Sequence, residues 1–261
     1  MISEGKKMDK NIVKTPVRWV RPDGTAGEEE TFLLSEHTLE IWVNGEKRTS
    51  LTCTACDLKE LAAGWLLGAG QIESGEEIIF LEISEDNRQA NVLIREAEKK
   101  ETSPTNRMST TGLTHSMDQR DPMIGQTSSA AAAAPAPADI FALASAFQEE
   151  TKLHRESQGT HSCMLWHEGK VVYRSEDISR HNAADKAIGY ALLNRISLRE
   201  CILFTSGRVP KDMVEKTVRA GVPVLVSKSV ATKEAADYAL VCGLQLIWRA
   251  WPDRYETSDI S

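Results

Sequence analysis

Two short segments in the C-terminal half carry side chains suited to holding phosphate. Ser206-Gly207-Arg208 follows the apolar run CILFT, and Ser227-Lys228-Ser229 follows the run PVLV. Each segment precedes a predicted helix, so it offers a hydroxyl, a cation and the free N–H groups of a helix N-terminus. That combination suits a phosphate or pyrophosphate group. The alternative is that Gly207 serves only a turn and that Arg208 and Lys228 are solvated.

A second polar cluster, EDISRHN, opens a helix predicted at 182–194. The following helix is otherwise apolar, so we expect these polar side chains to line a pocket, where a histidine such as His181 ordinarily has a pKa near neutral pH. A solvated helix cap would produce the same pattern. The candidate pocket residues are Arg180, His181, Asn182, Asp185 and Lys186.

His161 lies in the sequence GTHSC and could take part in metal or nucleophilic chemistry. Zinc deaminases carry a Glu two residues after such a His, together with a P-C-x-x-C motif. This chain has Cys163 at that position and lacks the second motif, which excludes a zinc-water deaminase. A Cys–His dyad stays open, although Cys163 begins an apolar strand. We expect no bound metal.

Cys53 and Cys56 form the only C-x-x-C pair of the chain. An odd total of five cysteines suits reduced thiols better than a disulfide framework. A four-cysteine zinc site would need a second pair. Cys56 precedes a predicted helix, whose N-terminus could stabilise a thiolate, but the adjacent Asp57 opposes this. Sulfur chemistry and plain packing are both compatible with the pair.

The chain has 261 residues, of which 41% are hydrophobic and 26% charged, and a net charge of -7. This composition is typical of a globular protein. The acidic balance argues against a general nucleic-acid binder, whose domain is usually basic. The N-terminal residues lead into no apolar stretch, and no run reaches the roughly 18 residues that span a bilayer. We therefore predict a cytoplasmic protein with neither a nucleic-acid partner nor a membrane segment.

The apolar pattern divides the chain into five parts. A smaller N-terminal α+β subdomain is predicted at 31–95 and an α/β subdomain at 139–250. In the latter, short apolar strands alternate with amphipathic helices, which predicts a parallel sheet covered by helices. Ligands of such a sheet bind at the carboxyl ends of its strands. The other parts are a flexible N-terminus at 1–30, a mobile linker at 96–138 and a tail at 251–261.

Local signals support the N-terminal subdomain. Asn44-Gly45 follows an alternating run and predicts a hairpin turn. Asp57 and Glu60 have the spacing of a capping box at the start of a helix, and Gly70 suits the end of that helix.

Four segments of the chain resemble the FdhD family of formate dehydrogenase accessory sulfurtransferases. EDISRHNAADKAIGYALL is similar to the family signature E-D-x-G-R-H-N-A-x-D-K-x-x-G. FTSGRVPKDMVEKTVRAGVPVLVSKSVATKEAADYA resembles its S-G-R-x-x-x-x-M-x-x-K and G-x-P-x-x-x-S-x-S segments. LTCTACDLKELAAGWLLGAGQI and GTHSCMLW resemble its N-terminal helix and G-x-H-x-A strand entry. The likeness covers about residues 35–248.

The resemblance implies a fold and an activity. Family members accept persulfide sulfur from a cysteine desulfurase and pass it to the molybdenum cofactor of formate dehydrogenase. They bind the bis-guanine-dinucleotide form of that cofactor, of which guanosine diphosphate (GDP) is a partial mimic, usually as homodimers. Their C-terminal part is a cytidine-deaminase-like three-layer α/β/α sheet. The expected partners are therefore the catalytic subunit of formate dehydrogenase, a cysteine desulfurase and a second copy of the chain.

The sequence departs from the family pattern in three places. The stretch at 107–118, equivalent to the family's sulfur-carrying C-G-x-C loop, contains no cysteine. Ser179 replaces a Gly of the signature. The family's C-terminal cofactor-contacting segment, F-x-R-x-x-R, is poorly matched by LIWRAWPDRY, which contains Trp248 and Arg249.

The missing cysteines leave three hypotheses open. The chain supports sulfuration or delivery of the cofactor, with Cys53 or Cys56 as the substitute sulfur carrier. Alternatively, it binds cofactor as a chaperone and transfers no sulfur. The third possibility, an unrelated nucleotide-binding enzyme on the same sheet, is disfavoured by the shared motifs.

Overall fold

The computed structural model describes residues 11–95, 135–149 and 151–258. Most of the predicted linker at 96–138 lies outside the described residues, as do the ends of the N-terminal segment and of the tail.

An antiparallel hairpin of β1 (Ile12–Val20) and β2 (Ala26–Leu34) opens the described chain. The sequence shows little pattern over residues 1–30, and no strand was predicted there. The strands are largely exposed and carry many charged side chains, so no buried face marks them in the sequence. The sequence feature that indicates this hairpin is its turn. Asp23 accepts hydrogen bonds from the backbone and hydroxyl of Thr25, and Gly24 has φ +85°.

The N-terminal subdomain contains a four-stranded sheet, in the order β4-β3-β6-β5, and one helix. The Asn44-Gly45 turn joins β3 to β4 with φ of 51° and 83°, as predicted for a type I′ turn. The helix α1 ends before Gly70, whose φ of +66° confirms it as the stop. The elements are β3 (His37–Val43), β4 (Glu46–Cys53), α1 (Leu58–Gly68), β5 (Ile78–Ile83) and β6 (Gln89–Ile94).

The capping box predicted at Asp57 and Glu60 is wrong. Asp57 has a left-handed backbone with φ 51°, and its side chain makes no capping hydrogen bond. Ser74 and Glu77 form a capping box instead, at the short 3₁₀ helix Gly75–Glu77. A box needs an extended backbone at its first residue, and Ser74, with φ -151°, provides it.

The C-terminal subdomain is built on a six-stranded mixed sheet in the order β12-β11-β10-β9-β7-β8. The three predicted strands β9, β10 and β11 are parallel, whereas β7, β8 and β12 run antiparallel to their neighbours. The strands are β7 (His161–His167), β8 (Lys170–Asp177), β9 (Cys201–Thr205), β10 (Val224–Ser227), β11 (Gln245–Trp248) and β12 (Glu256–Thr257). The helices are α2 (Pro137–Ala146), α3 (Lys152–Ser157), α4 (Arg180–Leu193), α5 (Lys211–Arg219) and α6 (Lys233–Cys242), with a 3₁₀ turn at Leu198–Glu200.

Helices cover both faces of this sheet. On one face Leu203 and Leu225 belong to a core shared with α4, α5, α6 and α1. On the other face Phe204 and Val226 pack with Leu143 of α2. The mixed α/β class is therefore confirmed, and the cytidine-deaminase-like arrangement implied by the resemblance stays a prediction.

Helices α1 and α4 join the two subdomains at a close crossing. A Cβ atom built on Gly64 would lie 1.9 Å from the carbonyl oxygen of Asp185, and one built on Gly189 would lie 1.8 Å from that of Glu60. Only glycine allows the backbones to approach this closely. The crossing fixes the N-terminal subdomain against the middle of α4.

Candidate functional site

The candidate residues predicted from the C-terminal loops gather at one edge of the six-stranded sheet. The parallel strands β9, β10 and β11 all end there. Strand β7 begins there, because it runs antiparallel to β9 and pairs Cys163 with Thr205. The N-terminal turn of α4 follows the end of β8 at the same edge. Segments far apart in sequence therefore meet, as expected for the ligand-binding edge of an open α/β sheet.

The first predicted loop brings Arg180 and His161 together. A Cβ on Gly207 would lie 2.9 Å from Cβ of Arg180 and 3.5 Å from Nδ1 of His161, so only glycine fits without displacement. Ser206 is tied to β7 through its Oγ, which accepts a hydrogen bond from the Ser162 amide at 3.0 Å. Arg208 is exposed at the start of the path into α5.

The second predicted loop is locked against the first. Ser227 is fully buried; its Oγ donates to the Gly207 carbonyl at 2.7 Å and accepts from the Ser229 amide at 3.0 Å. Its role is to hold the two loops together. Lys228 is partly exposed, and its Nζ lies 5.0 Å from the centre of the Trp251 ring. The lysine is thus held at the sheet edge with its ammonium group accessible.

The third strand end is organised around Glu256. Trp248 donates its indole N–H to this carboxylate at 2.9 Å, and Arg249 lies 3.2 Å from it. The Arg249 amide also donates to the Ser229 carbonyl at 2.7 Å, which joins this segment to the second loop. Both predicted residues therefore lie at the edge, with their side chains engaged by one carboxylate.

A cleft of about 140 Å³ opens beside the two loops. Ser206 and Lys228 line it together with residues that the sequence did not single out. Sequence spacing gave no signal for these, because α2, α3 and β8 reach the edge only through the tertiary fold. The full lining is Phe147, Gln148, Glu149, Thr151, His154, Ser162, Arg174, Ser206 and Lys228.

Hydrogen bonds hold the α2–α3 side of the cleft. Arg174 donates to the carbonyls of Ala146 and Glu149, at 2.8 and 2.6 Å. Glu176 accepts from the hydroxyl of Thr151, from the His154 amide at 2.9 Å and from other groups of this region. The cleft is therefore a built structure with two cations, Arg174 and Lys228, on its wall.

Four of the five predicted pocket residues lie in the interior: His181, Asn182, Asp185 and Lys186. Lys186 is fully buried and forms an ion pair with buried Asp177 at 2.8 Å. Asn182 donates to the same carboxylate at 2.9 Å. Asp185 is paired with buried Lys216. These residues fix the start of α4 and do not line the cleft. Lys186 and Asp185 are each paired with an opposite charge, because a buried ion needs a charged partner and hydrogen bonds.

All five cysteines lie in the described chain, and four of them are buried. Cys56 is partly exposed; its Sγ lies 3.3 Å from Oγ1 of Thr54 and 3.6 Å from Nζ of Lys186. Burial raises the pKa of Cys56, and the Lys186 ammonium opposes the rise without cancelling it. Burial raises the pKa of Cys53 to about 12. Of the predicted C-x-x-C pair, only Cys56 therefore offers an accessible thiol.

Two further features concern metals and membranes. Across residues 11–95, 135–149 and 151–258, no group of three or more His, Cys, Asp and Glu side chains is placed to hold a metal ion. None of the helices in those ranges has the length and apolar character needed to cross a bilayer.

A model of the FdhD/NarQ family matches residues 34–257. The chain belongs to the FdhD/NarQ family. The sulfur carrier protein FdhD of Bacillus licheniformis is 30% identical over 236 residues, which are 89% of each chain. That of Bacillus pumilus is 34% identical over 212 residues, 79% of this chain and 80% of the relative. The family resemblance read from the sequence motifs is thereby confirmed.

The fold has a solved counterpart. A crystal structure from Desulfotalea psychrophila, described as that of a formate dehydrogenase accessory protein, superposes with a TM-score of 0.77 at 24% identity. The match covers 95% of this chain and 96% of the other. It supports the arrangement of the two subdomains described here for this FdhD/NarQ chain.

Proposed function

We propose that this FdhD/NarQ protein binds the molybdenum bis-guanine-dinucleotide cofactor and supports its sulfuration or delivery to formate dehydrogenase. The observation that carries the proposal is the meeting of the two phosphate-suited loops with Arg180, His161 and the cleft at one sheet edge. The names of the relatives, sulfur carrier protein FdhD, agree with a role of this kind.

The residues at the edge fit a phosphoryl ligand. Gly207 lets Arg180 pack directly against the first loop, and the Nε of Arg180 is buried without a hydrogen-bond partner among the described residues. Buried polar groups are normally paired, so an unpaired guanidinium N–H suits an anionic acceptor. Lys228, Arg174 and the Ser206 hydroxyl add donors from the cleft. A volume of about 140 Å³ suits the phosphates, with the remainder of a nucleotide along the rim.

The residues of the proposed site have distinct roles. Arg180, Arg208 and Lys228 bind phosphate, while Ser227 and Gly207 position the loops. The cofactor, when bound, supplies the metal that receives sulfur. The catalytic subunit of formate dehydrogenase, a cysteine desulfurase and a second copy of the chain are the partners that the proposal requires, in the cytoplasm.

Replacing Arg208 with Ala should weaken GDP binding about tenfold or more. A charge-assisted hydrogen bond to phosphate contributes roughly 1.5–3 kcal/mol, and a tenfold change in Kd corresponds to about 1.4 kcal/mol. Isothermal titration calorimetry with GDP measures the change. Lys233→Ala is the matched control, since this cation is exposed on α6 and paired with Asp237. Unchanged affinity in the Arg208 variant would remove this residue from the site, and no GDP binding by the wild type would contradict the proposed function.

A second candidate function is cofactor binding without sulfur transfer. The burial of the cysteines favours it. Four of the five are buried, and burial raises the pKa of Cys56, so a larger fraction of this thiol is protonated than of an ordinary cysteine. A persulfide carrier needs an accessible thiolate. The opposing observation is the Lys186 ammonium 3.6 Å from the Cys56 sulfur, which would stabilise a thiolate once formed.

Incubation with a cysteine desulfurase and cysteine should leave the protein without a +32 Da persulfide at neutral pH. The physical reason is the raised pKa of Cys56 and the burial of the other thiols. Intact-mass and peptide mass spectrometry make the measurement, and a family member with the C-G-x-C loop is the positive control. An adduct that maps to Cys56 and disappears in Cys56→Ser, but not in Cys201→Ser, would establish Cys56 as the carrier and favour sulfur transfer.

A further inference from the structure

The N-terminal turns of α4 and α5 meet at a buried histidine that has no hydrogen bond. His181 is 2% exposed, and neither Nδ1 nor Nε2 has a hydrogen-bond partner within the described residues. Its Nε2 lies 3.5 Å from Oδ2 of Asp212, in the first turn of α5. A buried imidazole without a partner is uncommon and calls for an explanation.

The charges around His181 come from three elements. Arg180 of α4 and Lys216 of α5 are cations, and Asp212 of α5 is an anion. His161 of β7 also contributes to the electrostatic surroundings of His181. Lys216 is itself paired with Asp185. Burial, followed by Lys216 and Arg180, lowers the pKa of His181 to about 3, so the ring is neutral in the ligand-free protein.

A second histidine responds to the same arginine. His161 is partly exposed at the start of β7, with its Nδ1 3.5 Å from the Cβ position of Gly207. Burial, Arg180 and His154 lower the pKa of His161, and Asp177 opposes the change. Arg180 thus lies close to two neutral imidazoles, at the contact where the proposed function places a phosphate.

We propose that phosphate binding at the Arg180–Gly207 contact is coupled to the uptake of one proton by the pair His161 and His181. This inference rests on the proposed function. A phosphate dianion offsets the charge of Arg180, which, after burial, is one of the groups that disfavour the imidazolium at both histidines, and Asp212 lies within 3.5 Å as a counter-ion for His181. The proton comes from solvent and remains on the pair while the ligand is bound. One imidazolium then repels the formation of a second.

The sign of the pH dependence follows from linkage. The pKa values of both histidines are low in the free protein and rise in the complex, so protons are bound on association. Affinity for GDP should therefore increase as the pH falls, with an upper limit of tenfold per pH unit for one full proton. Measurements at pH 7.0–8.5 lie above the second phosphate pKa of about 6, so ionisation of the ligand itself contributes little.

Calorimetry of GDP binding in buffers with different ionisation enthalpies tests the coupling. The wild type should take up a fraction of a proton that grows from pH 8.5 to 7.0. The double variant His161→Gln/His181→Gln should bind GDP with no uptake. His167→Gln is the matched control and should behave as wild type, because His167 lies at the far end of β7 beside Glu200.

The outcomes separate the two proposals. Binding of GDP with the same heat in all buffers, or uptake that persists in the double variant, overturns the coupling and leaves the proposed function intact. No binding by the wild type overturns both. If the double variant does not fold, the single variant His161→Gln, at the partly exposed position, should show reduced proton uptake. The inference is overturned if proton uptake in His161→Gln is unchanged and NMR shows that His181 stays neutral.

Discussion

Replacing Lys186 with Met should lower the free energy of unfolding by about 3–5 kcal/mol, because it leaves the Asp177 carboxylate charged and buried. The ammonium lies 2.8 Å from this carboxylate, and both side chains are fully buried. Burial, the largest single contribution, lowers the pKa of Lys186, but Asp177 together with Cys56 and Cys53 outweighs it and raises the pKa above its ordinary value. Urea denaturation followed by far-UV circular dichroism measures the change.

The partners of Lys186 make the test specific. Its Nζ also donates to Oγ1 of Thr54 at 2.7 Å and to the Glu176 carbonyl at 2.9 Å, so one side chain joins α4 to β8 and to the residue that follows β4. The double variant Lys186→Met/Asp177→Asn removes the unpaired charge and should be more stable than Lys186→Met alone. The exposed pair Lys233–Asp237 provides the control, and Lys233→Met should change stability by no more than about 0.5 kcal/mol. A loss below about 1 kcal/mol for Lys186→Met would contradict the argument.

Replacing Gly64 with Ala should destabilise the protein by about 3 kcal/mol or prevent folding. The added Cβ would lie 1.9 Å from the Asp185 carbonyl oxygen, and a backbone atom inside a helix cannot move aside as a side chain does. Overpacking in a core typically costs about 1–3 kcal/mol, and a clash with backbone belongs at the upper end or beyond. The same denaturation experiment applies, with expression in the folded state as the first readout.

Gly68, one turn later on α1, is the matched control. A Cβ there would meet only side chains, at 3.2 Å from Cε of Lys216 and 3.4 Å from Oδ1 of Asp185. Gly68→Ala should therefore cost much less than Gly64→Ala, while both gain the same helix propensity. Equal effects of the two substitutions would show that the close crossing of α1 and α4 is not what limits stability. A fold-wide loss for Gly64→Ala would also confirm that the crossing connects the two subdomains.

Much of the C-terminal architecture was predictable, because its signals are local. Short apolar runs end at turn residues, Thr232 caps α6 through a hydrogen bond from the Ala235 amide, and Gly243 ends the helix with φ +69°. The ends of β9 and β10 follow from the same runs. These runs alone therefore predict that Ser206 and Lys228 lie at adjacent strand ends. The N-terminal hairpin was missed, since its strands are largely exposed and bury no regular apolar face.

The family, the mixed α/β class and most of the polar residues at the sheet edge follow from the amino-acid sequence, because motif order, apolar periodicity and turn chemistry are properties of neighbouring residues. The role of each polar residue depends instead on the tertiary packing. Asp185 and Lys186 lie about one and a half helical turns from Arg180 on α4, yet they are buried in ion pairs with Lys216 and Asp177. Similarly, Cys56 is accessible and Cys53 is not. Burial and pairing depend on the chain segments that pack from elsewhere in the sequence, so no local pattern can specify them.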